Sequence, residues 1–159
     1  MTAVRPPSPA SAAPEERYLA RWAVAWATGD AERCLAGHAA TMAGEHTRYV
    51  QPLFHAARGE RGLRTVGKLF ALIPDLTAEI ERWAVADGFA FVEFTLRGHL
   101  GGRPVAVRAV DRMTLDGEPL VERENYCDPL PVVLAVLVRP RVWPLLVRHR
   151  VRITPRPRR

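Results

Sequence analysis

One lysine, Lys68, stands among 23 basic residues, so the positive charge is carried almost wholly by arginine. Cysteine is just as scarce. Cys34 and Cys127 show neither metal-type spacing nor a disulfide framework, and they fit a reduced cytoplasm. Long hydrophobic runs are missing too: residues 130–138 form the longest, too short to span a bilayer. Met1 to Ala13 has no apolar core and is expected to be neither signal peptide nor membrane anchor. His38, His46 and His55 share no ligand spacing on one element and have no acidic cluster beside them, so no metal is expected. His55, just past Pro52, reads as loop surface rather than a proton shuttle.

What is present is unevenly spread. The net charge is +6, yet residues 130–159 hold eight of the basic residues and no acid, which leaves the remainder slightly acidic. Basicity belongs to the tail, and nucleic acid is not an expected partner. A chain of 159 residues can bury one real core. The expected division is a disordered, proline-rich lead-in over 1–13, one domain over 14–130, and an apolar then basic extension over 131–159.

Periodicity fills in the domain. Pro14-Glu15-Glu16 opens a helix whose Tyr18, Trp22, Ala25 and Trp26 make one apolar stripe. Thr28-Gly29-Asp30 ends it and caps a second helix carrying Cys34, Leu35, His38 and Met42. Thr47 to Gln51 reads as a short strand and Gly59 to Gly62 as a loop before a third helix with Leu63, Val66, Phe70 and Ile73 on one side. From Leu76 the period becomes two. Strands are expected over 76–85, 89–100, 105–115 and 120–127, joined by Asp87-Gly88, Gly101-Gly102 and Asp116-Gly117 turns. Three helices followed by four consecutive strands give an α+β fold.

The strand over 105–115 carries the first candidate for chemistry. Val105, Val107, Ala109, Asp111, Met113 and Leu115 share one face, while Arg108 and Arg112 lie on the other. Asp111 is the only charge on the oily face. A carboxylate there is costly unless it is hydrogen-bonded, paired or protonated. Burial alone predicts a neutral proton donor. Pairing with Arg123 across the next hairpin predicts an ionised group suited to act as a base.

The order of these elements, with Trp22 to Asp30, Tyr49-x-x-Pro52, Phe70 to Leu76, Val92 to Gly98, Val110-Asp111-Arg112, Asp116-Gly117 and Tyr126 to Leu130, resembles the SnoaL-like branch of the NTF2-like superfamily. The resemblance covers about residues 15–130. It implies a cone: a curved antiparallel sheet wrapped over three N-terminal helices around a deep pocket, here with a C-terminal helical extension. The family includes polyketide cyclases, ketosteroid isomerase, limonene epoxide hydrolase and non-catalytic binders, so fold alone does not give function.

Carried over residue by residue, the resemblance mostly removes options. The Arg-x-Asp pair of the epoxide hydrolases falls on Phe94 and Leu96, and the residues that hold their attacking water fall on Arg48 and Val50; that activity is disfavoured. Their last-strand acid falls on Asn125, or on Glu124 if the register slips by one. Asn125 is preferred because Glu122 and Glu124 then both face water. The general base of ketosteroid isomerase falls on Gln51, and its oxyanion-hole residues fall on Trp22 and Asp111. Polyketide cyclases place their acid/base residue at the Asp111 position. The resemblance therefore implies acid/base isomerisation or cyclisation of a small hydrophobic carbonyl compound by Asp111, with no cofactor. Trp22, Tyr49, Gln51, Phe94, Leu96, Val107, Ala109, Arg123 and Asn125 are its expected ligand contacts. A binding module without chemistry is the alternative, and a homodimer through the wet sheet face is expected of either. For the tail, a lid formed by 130–138 is preferred over an anchor on anionic lipid and over a nucleic-acid arm.

Overall fold

The computed structural model describes residues 13–151. All but the last residue of the lead-in expected over 1–13, and the end of the basic extension from residue 152, lie outside the described residues. Five helices and six strands follow in order: α1 (Pro14–Ala27), α2 (Ala31–Thr41), β1 (Arg48–Val50), β2 (Ala57–Arg58), α3 (Gly59–Leu72), β3 (Thr77–Ala86), β4 (Phe89–Leu100), β5 (Arg103–Leu115), β6 (Leu120–Cys127), α4 (Leu130–Leu137) and α5 (Trp143–His149). Short 3-10 turns cover Gly44–His46 and Pro140–Val142.

Local chemistry explains most boundaries. Pro14 sits in the first turn of α1, and Asp30 caps α2 by accepting from the Arg33 amide at 3.0 Å. Gly29, at φ +64°, makes the reversal between these helices. Asp87 and Gly88 both have positive φ, as the tight β3–β4 hairpin demands.

The strands form one sheet in the order β2-β1-β6-β5-β4-β3. Four long strands make an antiparallel meander, as the alternation implies. The short β1 makes the sheet a mixed one, because it runs parallel to β6, with Tyr49 opposite Arg123. A hairpin forces antiparallel pairing, but β1 reaches β6 through a long crossover that leaves direction free. Gly59 to Gly62 needs correction from loop to the first turn of α3. Gly62 is there because a Cβ would meet Tyr49 Cδ2 at 2.2 Å, so packing overrides a poor helix former.

The sheet's inner face buries Val92, Phe94, Ala109 and Met113 in one core cluster with side chains of α1 and α3. Trp22 meets the Phe94 ring edge-on at 5.0 Å, and Trp26 stacks on Phe70 at 5.8 Å. Replacing Gly62 by alanine should normally stabilise a helix; here it should destabilise the protein by about 1–3 kcal/mol through collision with Tyr49. Urea unfolding of Gly62→Ala checks this.

Candidate functional site

The meander fixes which residues face inward on β6. Asp111 pairs with Asn125, so Arg123, Asn125 and Cys127 point to the interior while Glu122 and Glu124 join Arg112 outside. Asp111 is fully buried, and Arg123 is 2% exposed. The Arg123 Nε–H donates to Asp111 Oδ2 at 2.6 Å, and the Asn125 amide donates to Oδ1 at 2.8 Å. Both carboxylate oxygens are thus occupied by donors. Of the two arrangements weighed from the sequence, the pairing with Arg123 across the hairpin is the one found. Burial opposes the charge of Arg123, but the charge and hydrogen bond of Asp111, together with Tyr18 and Tyr49, raise its pKa above the ordinary arginine value.

The guanidinium lies over the Trp26 ring, with Cζ 5.6 Å from the centroid. Its Nη1 is buried without a hydrogen-bond acceptor among the described residues. Around it are buried groups that the sequence places on helix stripes but not at a site, Tyr18, Cys34 and His38. Burial lowers His38 to about 3 and raises Cys34 to about 12, and the positive charge of Arg123 acts on both. His38 is therefore a neutral imidazole packed edge-on to Trp26 at 5.6 Å. The α1 and α2 stripes place His38 inside, but nothing in them signals the arginine it meets.

A cavity of about 80 Å³ opens in front of this pair. Of the expected ligand contacts, Leu96, Val107, Arg123, Asn125 and Gln51 line it. Gln51 is oriented by Thr65: the Thr65 hydroxyl donates to the Gly62 carbonyl at 2.6 Å and so must accept from the Gln51 amide at 2.5 Å. Apolar walls come from Leu69 and Leu72 of α3 and, unforeseen in detail, from Val132 and Val136 of α4 and Leu146 of α5. The extension therefore covers the cavity, as a lid would.

Four expected ligand contacts lie elsewhere. Trp22, Tyr49, Phe94 and Ala109 are core, each at most 3% exposed and away from the cavity wall; Trp22 packs on Phe94, and Tyr49 packs on Gly62 of α3. Asp111 is likewise behind the wall, reached only through Arg123 and Asn125. Cys127 is on the wall, with its thiol raised to about 11 by burial, and is a poor nucleophile at neutral pH. No group of three or more His, Cys, Asp or Glu that could hold a metal occurs among the described residues.

A sequence model described as the SnoaL-like domain matches residues 17–123. No curated protein matches. A candidate SnoaL-like polyketide cyclase from Jannaschia sp. CCS1 is similar in structure, with TM-score 0.63 and 20% identity over 79% of this chain and 92% of that one. An NTF2-like protein of unknown function from Burkholderia pseudomallei K96243 has TM-score 0.66 and 15% identity over 77% and 96%. A limonene-epoxide-hydrolase-like enzyme from M. tuberculosis has TM-score 0.60 and 15% identity over 81% and 93%. At such identities these structures establish the NTF2-like fold alone.

Removing one member of the buried pair leaves the other charge stranded. Asp111→Ala and Arg123→Met should each cost about 3–5 kcal/mol, and the double variant should cost clearly less than their sum. A denaturation cycle across the four proteins measures that coupling.

Proposed function

The chain belongs to the SnoaL-like domain family, and from that premise we propose that its cavity takes a small, neutral, hydrophobic carbonyl compound and isomerises or cyclises it by acid/base catalysis. The observation that carries this reading is the buried guanidinium of Arg123, fixed through Nε by Asp111 and with Nη1 left without an acceptor. A carbonyl oxygen held at this end gains a preorganised donor as negative charge develops on it. The ligand is neutral because Asp111 already balances Arg123; a carboxylate would add an uncompensated charge among apolar walls. It is also small, since a cavity of about 80 Å³ falls well below the ~300–1,000 Å³ typical of drug-sized ligands. Asp111 is the base in this reading. It becomes available when the Asn125 amide swings off Oδ1, a rearrangement that substrate binding can drive.

A binding module without chemistry is the second reading. In its favour, no Asp, Glu, His or Lys stands on the cavity wall among the described residues.

A two-fold homodimer through the outer sheet face accompanies either reading. Exposed Phe91, Val110 and Tyr126 lie on that face, flanked by Arg108 paired with Glu81 and Glu93 and by Arg112 paired with Glu122 and Glu124.

Exchange of α-protons of small apolar ketones into deuterated water, followed by NMR, needs no knowledge of the true substrate. The protein should accelerate exchange of ketones that bind, and Asp111→Asn, verified as folded, should lose about 10²–10⁴-fold of that rate while affinity changes little. Binding without any acceleration by the unaltered protein establishes the binding-module reading instead. For assembly, sedimentation should give a dimer that Val110→Asp converts to monomer. A monomer of the unaltered protein at micromolar concentration ends the dimer reading.

A further inference from the structure

The cavity uses only one side of the C-terminal helices. On α4, Val132, Val133 and Val136 face the cavity. Leu130, Leu134, Leu137 and Val138, at i, i+4, i+7 and i+8, form a separate stripe that is exposed along its length. On α5, Leu146 is buried, whereas Trp143 and Val147 one turn apart are 49% and 80% exposed. So much exposed apolar surface in so short a segment is a mark of an interaction site.

The charge around it selects the occupant. Arg141, Arg148 and Arg150 are exposed in the same segment, and no acid occurs from Leu130 to the chain end. A second copy docked by two-fold symmetry would set these arginines against their own equivalents with nothing to pair them. A nucleic acid would satisfy the arginines but leave Leu134 and Leu137 without an apolar partner. A bilayer bearing anionic headgroups supplies both layers, phosphate outside and acyl chain beneath.

We propose that the α4–α5 extension docks the protein on an anionic lipid surface, with the leucine stripe, Trp143 and Val147 entering the acyl boundary and the arginines meeting the headgroups. The helices lie on the membrane and do not cross it. No single helix among the described residues is long and apolar enough to span, and α4 and α5 bend by 103° at their junction. Pro140 and Pro144, which break the long amphipathic helix that many surface anchors use, do not prevent this, because the domain holds both short helices in place. Val142 is buried over Gly101, where a Cβ would lie 2.9 Å from its Cγ2. The Trp143 indole donates to the Val136 carbonyl at 3.0 Å, tying α5 to the end of α4. Docking therefore leaves one helix between the acyl layer and the apolar cavity. This inference does not depend on the cavity being catalytic.

The test is sedimentation of the full chain with sucrose-loaded vesicles of phosphatidylcholine alone or with about 30% phosphatidylglycerol. Binding is expected only to the anionic vesicles, with release by salt at about 0.5 M and a blue shift of the Trp143 emission that Trp143→Phe abolishes. Leu134→Ser with Leu137→Ser should weaken binding at least tenfold, as should Arg141→Gln with Arg148→Gln, at about fivefold for each charge removed. Melting temperatures of both double variants should stay near that of the parent, since all four side chains are exposed. Failure to bind anionic vesicles at low salt overturns the proposal. So does binding that ignores the leucine substitutions and is matched by a duplex oligonucleotide, which would mark a polyanion arm. Self-association lost with the leucines, in a protein that ignores lipid, would mark a second copy and likewise refute it.

Discussion

The ion pair between Asp111 and Arg123 is the constraint around which the interior is arranged. Two charges out of water are tolerable only together and only with their remaining valences answered. Asn125 supplies the second donor to the carboxylate, and the Trp26 ring covers the guanidinium. These partners come from α1, β5 and β6, so the pair ties a helix to the two central strands. A one-residue slip of β6 would turn Glu122 and Glu124 inward and leave Asp111 unmatched. The buried pair therefore enforces a register that hydrophobic alternation alone would leave weakly defined.

Much of this was legible in the sequence, for reasons that can be named. Alternation from Leu76 to Cys127 and turns requiring positive φ located the four long strands within a residue or two. The isolated Asp on an oily face pointed to Asp111, and the preference for Glu122 and Glu124 in water fixed Asn125 as its inward neighbour. The illegible parts are those decided by distant contacts. The direction of β1 depends on where the crossover delivers it, and the helical state of Gly59 to Gly62 depends on a tyrosine from another strand. Trp22 and Phe94 belong to the apolar interior in any reading. Only the depth to which α1 sinks makes them core rather than ligand wall.

The comparisons and the cavity bear on different questions. Shared fold places the chain beside proteins described with several chemistries and does not choose among them. Leu96 and Val107 give the sheet side of the cavity an apolar surface, and the extension supplies the opposite side. In the proposed reading selectivity comes mainly from shape, with Gln51, Arg123 and Asn125 as the polar groups at one end of the cavity.

The parallel contact of β1 with β6 also bears on the order in which the chain assembles. Strands β3 to β6 meet through successive short turns, so their pairing closes only small loops and can form early. Joining β1 to β6 brings together residues 74 apart, as between Arg48 and Glu122, and meets a loop-closure cost that only a nearly finished meander can offset. Tyr49 comes to rest against Arg123 at that late step, and Gln51 takes its position just beyond. The polar end of the cavity is in this sense the last part of the molecule to exist. A chain that stalls before it would carry a well-made sheet and no site.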